Sequence, residues 1–148
     1  MQPISFNNPI LLVEDNPLDL DLTLRAFSSQ KLTNPIQIAR DGEEALGFMQ
    51  KWKNKEPKPV VILLDLKLPK VNGLEVLKII KSHPEYKSIP IVMLTSSAES
   101  SDVKTAYELG ANSYIVKPVD YEKFIEVAKQ IELYWTVLNK PDQETDHT

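Results

Sequence analysis

Three acids, a hydroxyl and a lysine each stand at the end of a short apolar run. Glu14-Asp15 follows Ile10-Leu11-Leu12-Val13, and Asp65 follows Val60-Val61-Ile62-Leu63-Leu64. Thr95 follows Ile91-Val92-Met93-Leu94, and Lys117 follows Tyr114-Ile115-Val116. Hard carboxylate oxygens suit Mg2+, which is held by a few carboxylates, waters and phosphate oxygens. A lysine and a hydroxyl suit an anion. An ionised aspartate beside both is a candidate nucleophile toward phosphorus and becomes an acyl phosphate. Asp65 is the candidate acceptor, with Asp15 and Asp65 as direct metal ligands and Glu14 leaning toward the same place. Clustered carboxylates repel one another. Lys117 would neutralise part of that charge and then pair with a transferred phosphoryl group. Thr95 can donate a hydroxyl hydrogen bond to a phosphoryl oxygen, and Tyr114 reads as a rotamer switch coupled to Thr95. Each residue also has a plainer reading: a turn cap before Pro69 for Asp65, a helix-start pair for Glu14-Asp15, a strand-end cap for Thr95, packing for Tyr114 and a surface charge for Lys117. The set as a whole favours the chemistry.

The elements that would position this set are legible in the same runs. Short, near-continuous apolar segments rich in β-branched residues read as strands buried on both faces of a parallel sheet. In such a sheet the ligand lies just outside the carboxyl ends of the strands, where all five polar residues fall. A further short strand is Ile36-Gln37-Ile38-Ala39. Asn16-Pro17 opens a helix, with Asn16 as cap and Pro17 in the first turn. Leu18, Leu22, Arg25-Ala26 and Ser29 lie along helical spacings there, and Leu20, Leu24 and Phe27 widen the apolar face. Asp19 and Asp21 sit near its positive end, as the helix dipole prefers.

Asp41-Gly42 is a turn signal. Glu43 to Gln50 reads as a helix with Ala45, Leu46 and Met49 inward, and Trp52 to Pro59 as a lysine- and proline-rich loop. Leu74, Val76, Leu77 and Ile80 define a third helix stopped by His83-Pro84. A fourth runs from Ser100 to Leu109 and ends at Gly110. Asp120 caps a fifth from Tyr121 to Leu138, and Lys117-Pro118 before it is a rigid turn of the kind that accommodates a cis peptide. Strands alternating with helices give an α/β fold with right-handed crossovers.

The chain has 148 residues, enough for one domain with a real core. It has no cysteine, which removes disulfides, thiolate metal sites and a cysteine nucleophile. A net charge of -4 gives no electrostatic footprint for nucleic acid. The first residues lack the pattern of a signal peptide, and no apolar stretch approaches a membrane span. A cytoplasmic location is the expectation. Residues 139–148 are polar and read as a flexible tail. His83 and His147 fall in a turn and in that tail, and neither suggests a metal site.

The motifs Val13-Glu14-Asp15-Asn16, Asp41-Gly42-Glu43-Glu44-Ala45-Leu46, Leu64-Asp65-Leu66-Lys67-Leu68-Pro69 with Asn72-Gly73, Thr95-Ser96, and Tyr114-Ile115-Val116-Lys117-Pro118 occur in order. Together they resemble the receiver domain of two-component response regulators over residues 8–138. The resemblance implies a flavodoxin-like, doubly wound, five-stranded parallel sheet in the order 2-1-3-4-5 with five helices. It implies phosphotransfer from a histidine kinase to Asp65. It further implies Mg2+ (with Mn2+ as a substitute) on Asp15, Asp65 and the backbone carbonyl of Lys67, with Glu14 acting mainly through water. Thr95 and Tyr114 would report phosphorylation to the face of the fourth helix, fifth strand and fifth helix. Lys67 and Ser97 fall where this family tunes phosphate lifetime.

The Glu14-Asp15-Asn16-Pro17 opening, the long loop before the third strand, Lys117-Pro118-Val119-Asp120 and Trp135 are similar to small regulators paired with bacterial phytochromes, in which the last helix supports dimerisation. Here Phe124, Ala128, Ile131, Trp135 and Leu138 form one apolar stripe of that helix, and Val127, Tyr134 and Val137 widen it toward a partner surface.

The reading is of a stand-alone phospho-acceptor switch that acts through protein contacts, without an enzymatic or DNA-binding output. Three others are weaker. A phosphohydrolase of the haloacid dehalogenase type carries a second acid two residues after its nucleophile, where this chain has Lys67. A nucleotide or flavin binder needs a glycine-rich loop after the first strand, where Glu14-Asp15 would repel phosphate. A degenerate receiver acting only as a binding module fits poorly with the intact acids, Thr95 and Lys117.

Overall fold

The computed structural model describes residues 8–29 and 34–117, and Glu122, Glu126 and Lys129 beyond them. Five parallel strands, β1 (Ile10–Val13), β2 (Ile36–Ala39), β3 (Val61–Leu64), β4 (Ile91–Thr95) and β5 (Ser113–Val116), form one sheet in the order β2-β1-β3-β4-β5. Four helices connect them: α1 (Pro17–Ser29), α2 (Gly42–Lys53), α3 (Gly73–Ser82) and α4 (Ser100–Glu108). This is the flavodoxin-like α/β fold and strand order expected. Glu122, Glu126 and Lys129 are helical and exposed, on one face of the expected fifth helix. The rest of that helix, its apolar stripes, the Lys117-Pro118 peptide and the tail lie outside the described residues.

The register explains why one edge of the sheet gathers the polar set. Val13 pairs with Leu64 across β1 and β3, and Leu64 with Met93 across β3 and β4. Thr95 pairs with Val116 across β4 and β5. Each strand therefore ends within a residue or two of its neighbours, and Glu14, Asp65, Thr95 and Lys117, at or just past the ends of β1, β3, β4 and β5, come to the same carboxyl edge. Alternate side chains of the strands build two cores, one on each face. Leu11, Val13, Ile62, Leu64, Ile91 and Met93 face one side with Ala45, Phe48, Val76, Leu77, Ile80 and Ala106 of α2, α3 and α4. Ile10, Leu12, Val61, Leu63 and Val92 face the other with Leu20 and Phe27 of α1. Each such side chain contributes roughly 1.5–3 kcal/mol on burial, so the strand ends are held rigidly.

Three expectations are corrected. Leu18 and Leu22 were placed on the main apolar stripe of α1, yet they are 66% and 51% exposed, and Leu20, Thr23 and Phe27 are buried instead. Trp52, expected in a loop, lies in the last turn of α2, buried and edge-on to Tyr86 with ring centroids 5.2 Å apart. β5, expected to be buried on both faces, is half-buried along its length, because it is an edge strand of the sheet.

Side-chain caps fix where the helices begin. Asp41 Oδ1 accepts from Glu44 N at 2.7 Å, and Asn72 Oδ1 from Glu75 N at 3.0 Å. Each satisfies a backbone donor that helix geometry leaves unpaired. At Gly73 the start of α3 presses on the end of β3. A Cβ there would lie 2.1 Å from the carbonyl oxygen of Asp65 and 2.7 Å from Leu66 Cα, so this approach requires glycine.

Candidate functional site

Glu14, Asp15 and Asp65 bring one carboxylate oxygen each to within 4.8 Å of one another. Glu14 and Asp65 are buried, and Asp15 is half-buried. Sequence and fold agree in bringing these three together at the strand ends. Glu14 and Asp15 are adjacent, yet both reach the cluster because β1 has ended at Val13.

The turn into α1 is built around Asn16. Its N–H donates to Glu14 Oε2 at 3.2 Å, and its side-chain oxygen accepts from Leu18 N at 2.9 Å and Asp19 N at 3.1 Å. Asp65 is oriented by the N–H of Lys67, which donates to its Oδ1 at 3.2 Å. The Lys67 side chain itself is exposed.

Lys117 enters the cluster from β5. Its ammonium donates to Glu14 Oε1, to Asp65 Oδ2 at 3.2 Å, and to Asp19 Oδ2 at 3.0 Å. Three donors thus meet three carboxylates, and the lysine side chain is only 12% exposed. Asp19 was read only as an acid suited to the helix dipole. Its contact with Lys117 spans 98 residues of sequence and is a feature of the site that sequence reasoning missed. The usable signal was an acid in the first turn of the helix that the Glu14-Asp15-Asn16 turn opens.

One lysine does not balance this much negative charge. Burial pushes the Glu14 carboxyl up, to about 7, against the pull of Lys117 and of the Asn16 N–H, with the Asp65 charge adding to the rise. Burial also works against the Lys117 ammonium. The hydrogen bonds to Glu14 and Asp19 and the charge of Asp65 outweigh it and hold the lysine above its ordinary value, so it is cationic.

Thr95 and Tyr114 form a second group beside the first. Lys117 N donates to the Thr95 carbonyl at 2.8 Å. The Thr95 side chain is fully buried, and its Oγ1 accepts from Ser97 N at 3.4 Å. Tyr114 OH donates to the Ser97 carbonyl at 2.8 Å, so Tyr114 is linked to Thr95 through Ser97 rather than directly. Burial raises the Tyr114 phenol above its ordinary value. Ser97 Oγ in turn donates to Asp102 Oδ2 at 2.5 Å, which ties the loop to the first turn of α4. Asp102 was not singled out from the sequence.

A model of the response regulator receiver domain matches residues 10–129 of this chain. The chain belongs to that family. Among curated relatives of this receiver, the probable methanogenesis regulatory protein FilR2 of Methanothrix harundinacea is 39% identical over 132 residues, 88% of this chain and 85% of FilR2. Response regulator Rcp1 of Synechocystis sp. is 40% identical over 128 residues, 85% of this chain and 87% of Rcp1. The Mn(2+)-bound form of response regulator Rcp1 superposes with a TM-score of 0.74 at 38% identity, covering 90% of this chain and 96% of that one. The bacteriophytochrome response regulator RtBRR superposes with a TM-score of 0.77 at 50% identity, covering 91% and 84%.

The receiver's acidic cluster fits a divalent metal. Its donors are hard oxygens, they converge from two adjacent strand ends, and they carry more negative charge than Lys117 offsets. Among the described residues, no helix is long and apolar enough to cross a membrane.

Proposed function

We propose that this receiver, spanning residues 8–138, is a phospho-acceptor switch: a sensor histidine kinase transfers a phosphoryl group to Asp65, and the modified domain signals through protein contacts. The observation that carries this reading is the contact of Lys117 with Asp65 and Glu14 inside a three-carboxylate cluster. An Asp65 oxygen forms the new P–O bond as the P–N bond of the donor's phosphohistidine breaks, and the electron pair goes to the imidazole nitrogen. Asp65 is held for this by the Lys67 N–H on Oδ1. Lys117 then donates to a phosphoryl oxygen, and Thr95 offers its hydroxyl to another. Asp15, Asp65 and the Lys67 carbonyl are the groups that would hold Mg2+ or Mn2+, with Glu14 acting mainly through water. Bound there, the ion offsets the charge that develops on the transferring phosphoryl oxygens.

Thr95 and Tyr114 would carry the change to α4 and β5. Lys67 and Ser97 would set the phosphate lifetime, and a lysine at position 67 does not position a hydrolytic water. Likeness to the bacteriophytochrome response regulator RtBRR supports a phytochrome as the kinase, and the broad apolar face expected on residues 121–138 supports a homodimer. A cytoplasmic location is part of the same proposal.

The test is incubation with acetyl phosphate and Mg2+ followed by intact-mass measurement. A single phosphoryl adduct that requires Mg2+ and is missing from Asp65→Asn is expected. An adduct that persists in Asp65→Asn, or a wild type that takes none from either acetyl phosphate or a cognate kinase, refutes the proposal.

A further inference from the structure

We infer that Asp19 is a positioning residue that restrains Lys117 in the resting protein and competes with the phosphoryl group for it; this rests on the phospho-acceptor reading of Asp65. The ammonium already has an acceptor for each of its three N–H bonds: Glu14, Asp65 and Asp19. To donate to a phosphoryl oxygen it must weaken one of these contacts. The three acceptors are not equivalent. The side chains of Glu14 and Asp65 are 3% and 9% exposed, and that of Asp19 is 35% exposed. Water can take over the hydrogen bond that Asp19 loses, whereas on Glu14 or Asp65 the buried oxygen that faces Lys117 would lose that donor with little water to replace it.

The backbone of Asp19 is also fixed in place. Its N–H is bound by the Asn16 side chain at 3.1 Å, and Leu20 N donates to the Asn16 carbonyl at 3.0 Å. The turn that carries Glu14 and Asp15 therefore also sets the height of Asp19 beside Lys117. The nearby acid Asp21 provides an internal contrast. It pairs with Arg25 at 2.9 Å on the exposed side of α1.

Beryllofluoride, which mimics a phosphoryl group on a carboxylate, reports on this competition at equilibrium. With saturating Mg2+, Asp19→Asn keeps the shape of the side chain and removes its charge. It is expected to tighten beryllofluoride binding by about threefold, the scale of one partly exposed ion pair. The gain is expected to survive at about 0.5 M salt, because a direct contact is screened less than a diffuse field. Asp21→Asn is expected to leave the affinity unchanged. Equal or weaker binding by Asp19→Asn overturns the inference. So does a gain that Asp21→Asn reproduces or that salt abolishes, since either would reflect general charge and not a hold on Lys117. A wild type that binds no beryllofluoride overturns the phospho-acceptor reading itself, and is thereby told apart from a failure of Asp19 alone.

Discussion

Replacing Asp65 by asparagine should make the metal-free protein more stable while removing its proposed acceptor. Asp65 lies at most 4.8 Å from the carboxylates of Glu14 and Asp15. At an effective dielectric near 20, each of these repulsions is at least about 3.5 kcal/mol, or about 7 kcal/mol for both. The attraction to Lys117 at 3.2 Å is about 5 kcal/mol on the same scale. The balance is a net repulsion of about 2 kcal/mol, before the desolvation of a nearly buried carboxylate is added. Asparagine keeps the shape and the acceptor for the Lys67 N–H, and it removes the charge. Urea denaturation in low salt with a chelator, at about pH 8 where Glu14 is mostly ionised, should therefore show a gain of about 2 kcal/mol for Asp65→Asn. Excess Mg2+ should narrow the gap, because a ligand stabilises the folded state that binds it better. A metal-free Asp65→Asn protein that is equal to or less stable than wild type would refute the idea that this cluster is electrostatically frustrated.

Two further outcomes follow from the same geometry. Glu14 has an ordinary value of 4.5 and a folded value of about 7, so it contributes stability that is fully present below 4.5 and is lost as pH rises through 7. Metal-free stability should therefore rise by about 2 kcal/mol between about pH 8 and about pH 5.5, and Glu14→Gln should flatten that rise in urea midpoints. Asp41, held below its ordinary 3.8 by the Glu44 N–H, loses its contribution only as pH falls through a still lower value, outside this window. At Gly73, a Cβ 2.1 Å from the Asp65 carbonyl oxygen forces α3 and the end of β3 apart. Gly73→Ala should cost about 1–3 kcal/mol in thermal or urea unfolding, as overpacking does, and should slow adduct formation at Asp65.

The sheet was legible because its central strands are apolar on both faces, a pattern that leaves little choice of element. The polar residue that ends each strand was legible for the same reason, since the register brings all the ends to one edge. The faces of α1 were not. Leu18, Leu20, Leu22 and Leu24 recur at two-residue spacing and so put leucine on two opposite sides of a helix, while the buried face is completed by Thr23, a polar residue. Spacing cannot choose between such faces; packing against Ile10, Leu12 and Leu63 does. Trp52 was hidden by the lysines around it, although Phe48 and Trp52 stand one helical turn apart. The Asp19 contact was out of reach for a different reason. Lys117 arrives from the far end of the chain, and only the fold says which of the two α1 acids, Asp19 or Asp21, it meets.

The two groups of site residues divide the work of a switch in a way that follows from their bonds. On the proposed mechanism the charge change occurs at Asp65, where the cluster is already unfavourable without a metal. A transferred phosphoryl group draws on Lys117 and on the Thr95 hydroxyl. Thr95 Oγ1 holds Ser97 N only at 3.4 Å, a weak bond that a phosphoryl oxygen can displace. Ser97 is in turn bonded to Tyr114 through its carbonyl and to Asp102 through its hydroxyl. The N-terminal cap of α4, Glu99, makes no side-chain hydrogen bond to the helix, so the Ser97–Asp102 contact ties its first turn to the loop without help from a cap. A displacement of Ser97 therefore reaches α4 at an uncapped end and reaches β5 through Tyr114. On this proposal a local change of charge at Asp65 would be passed to an end of α4 that carries no side-chain cap.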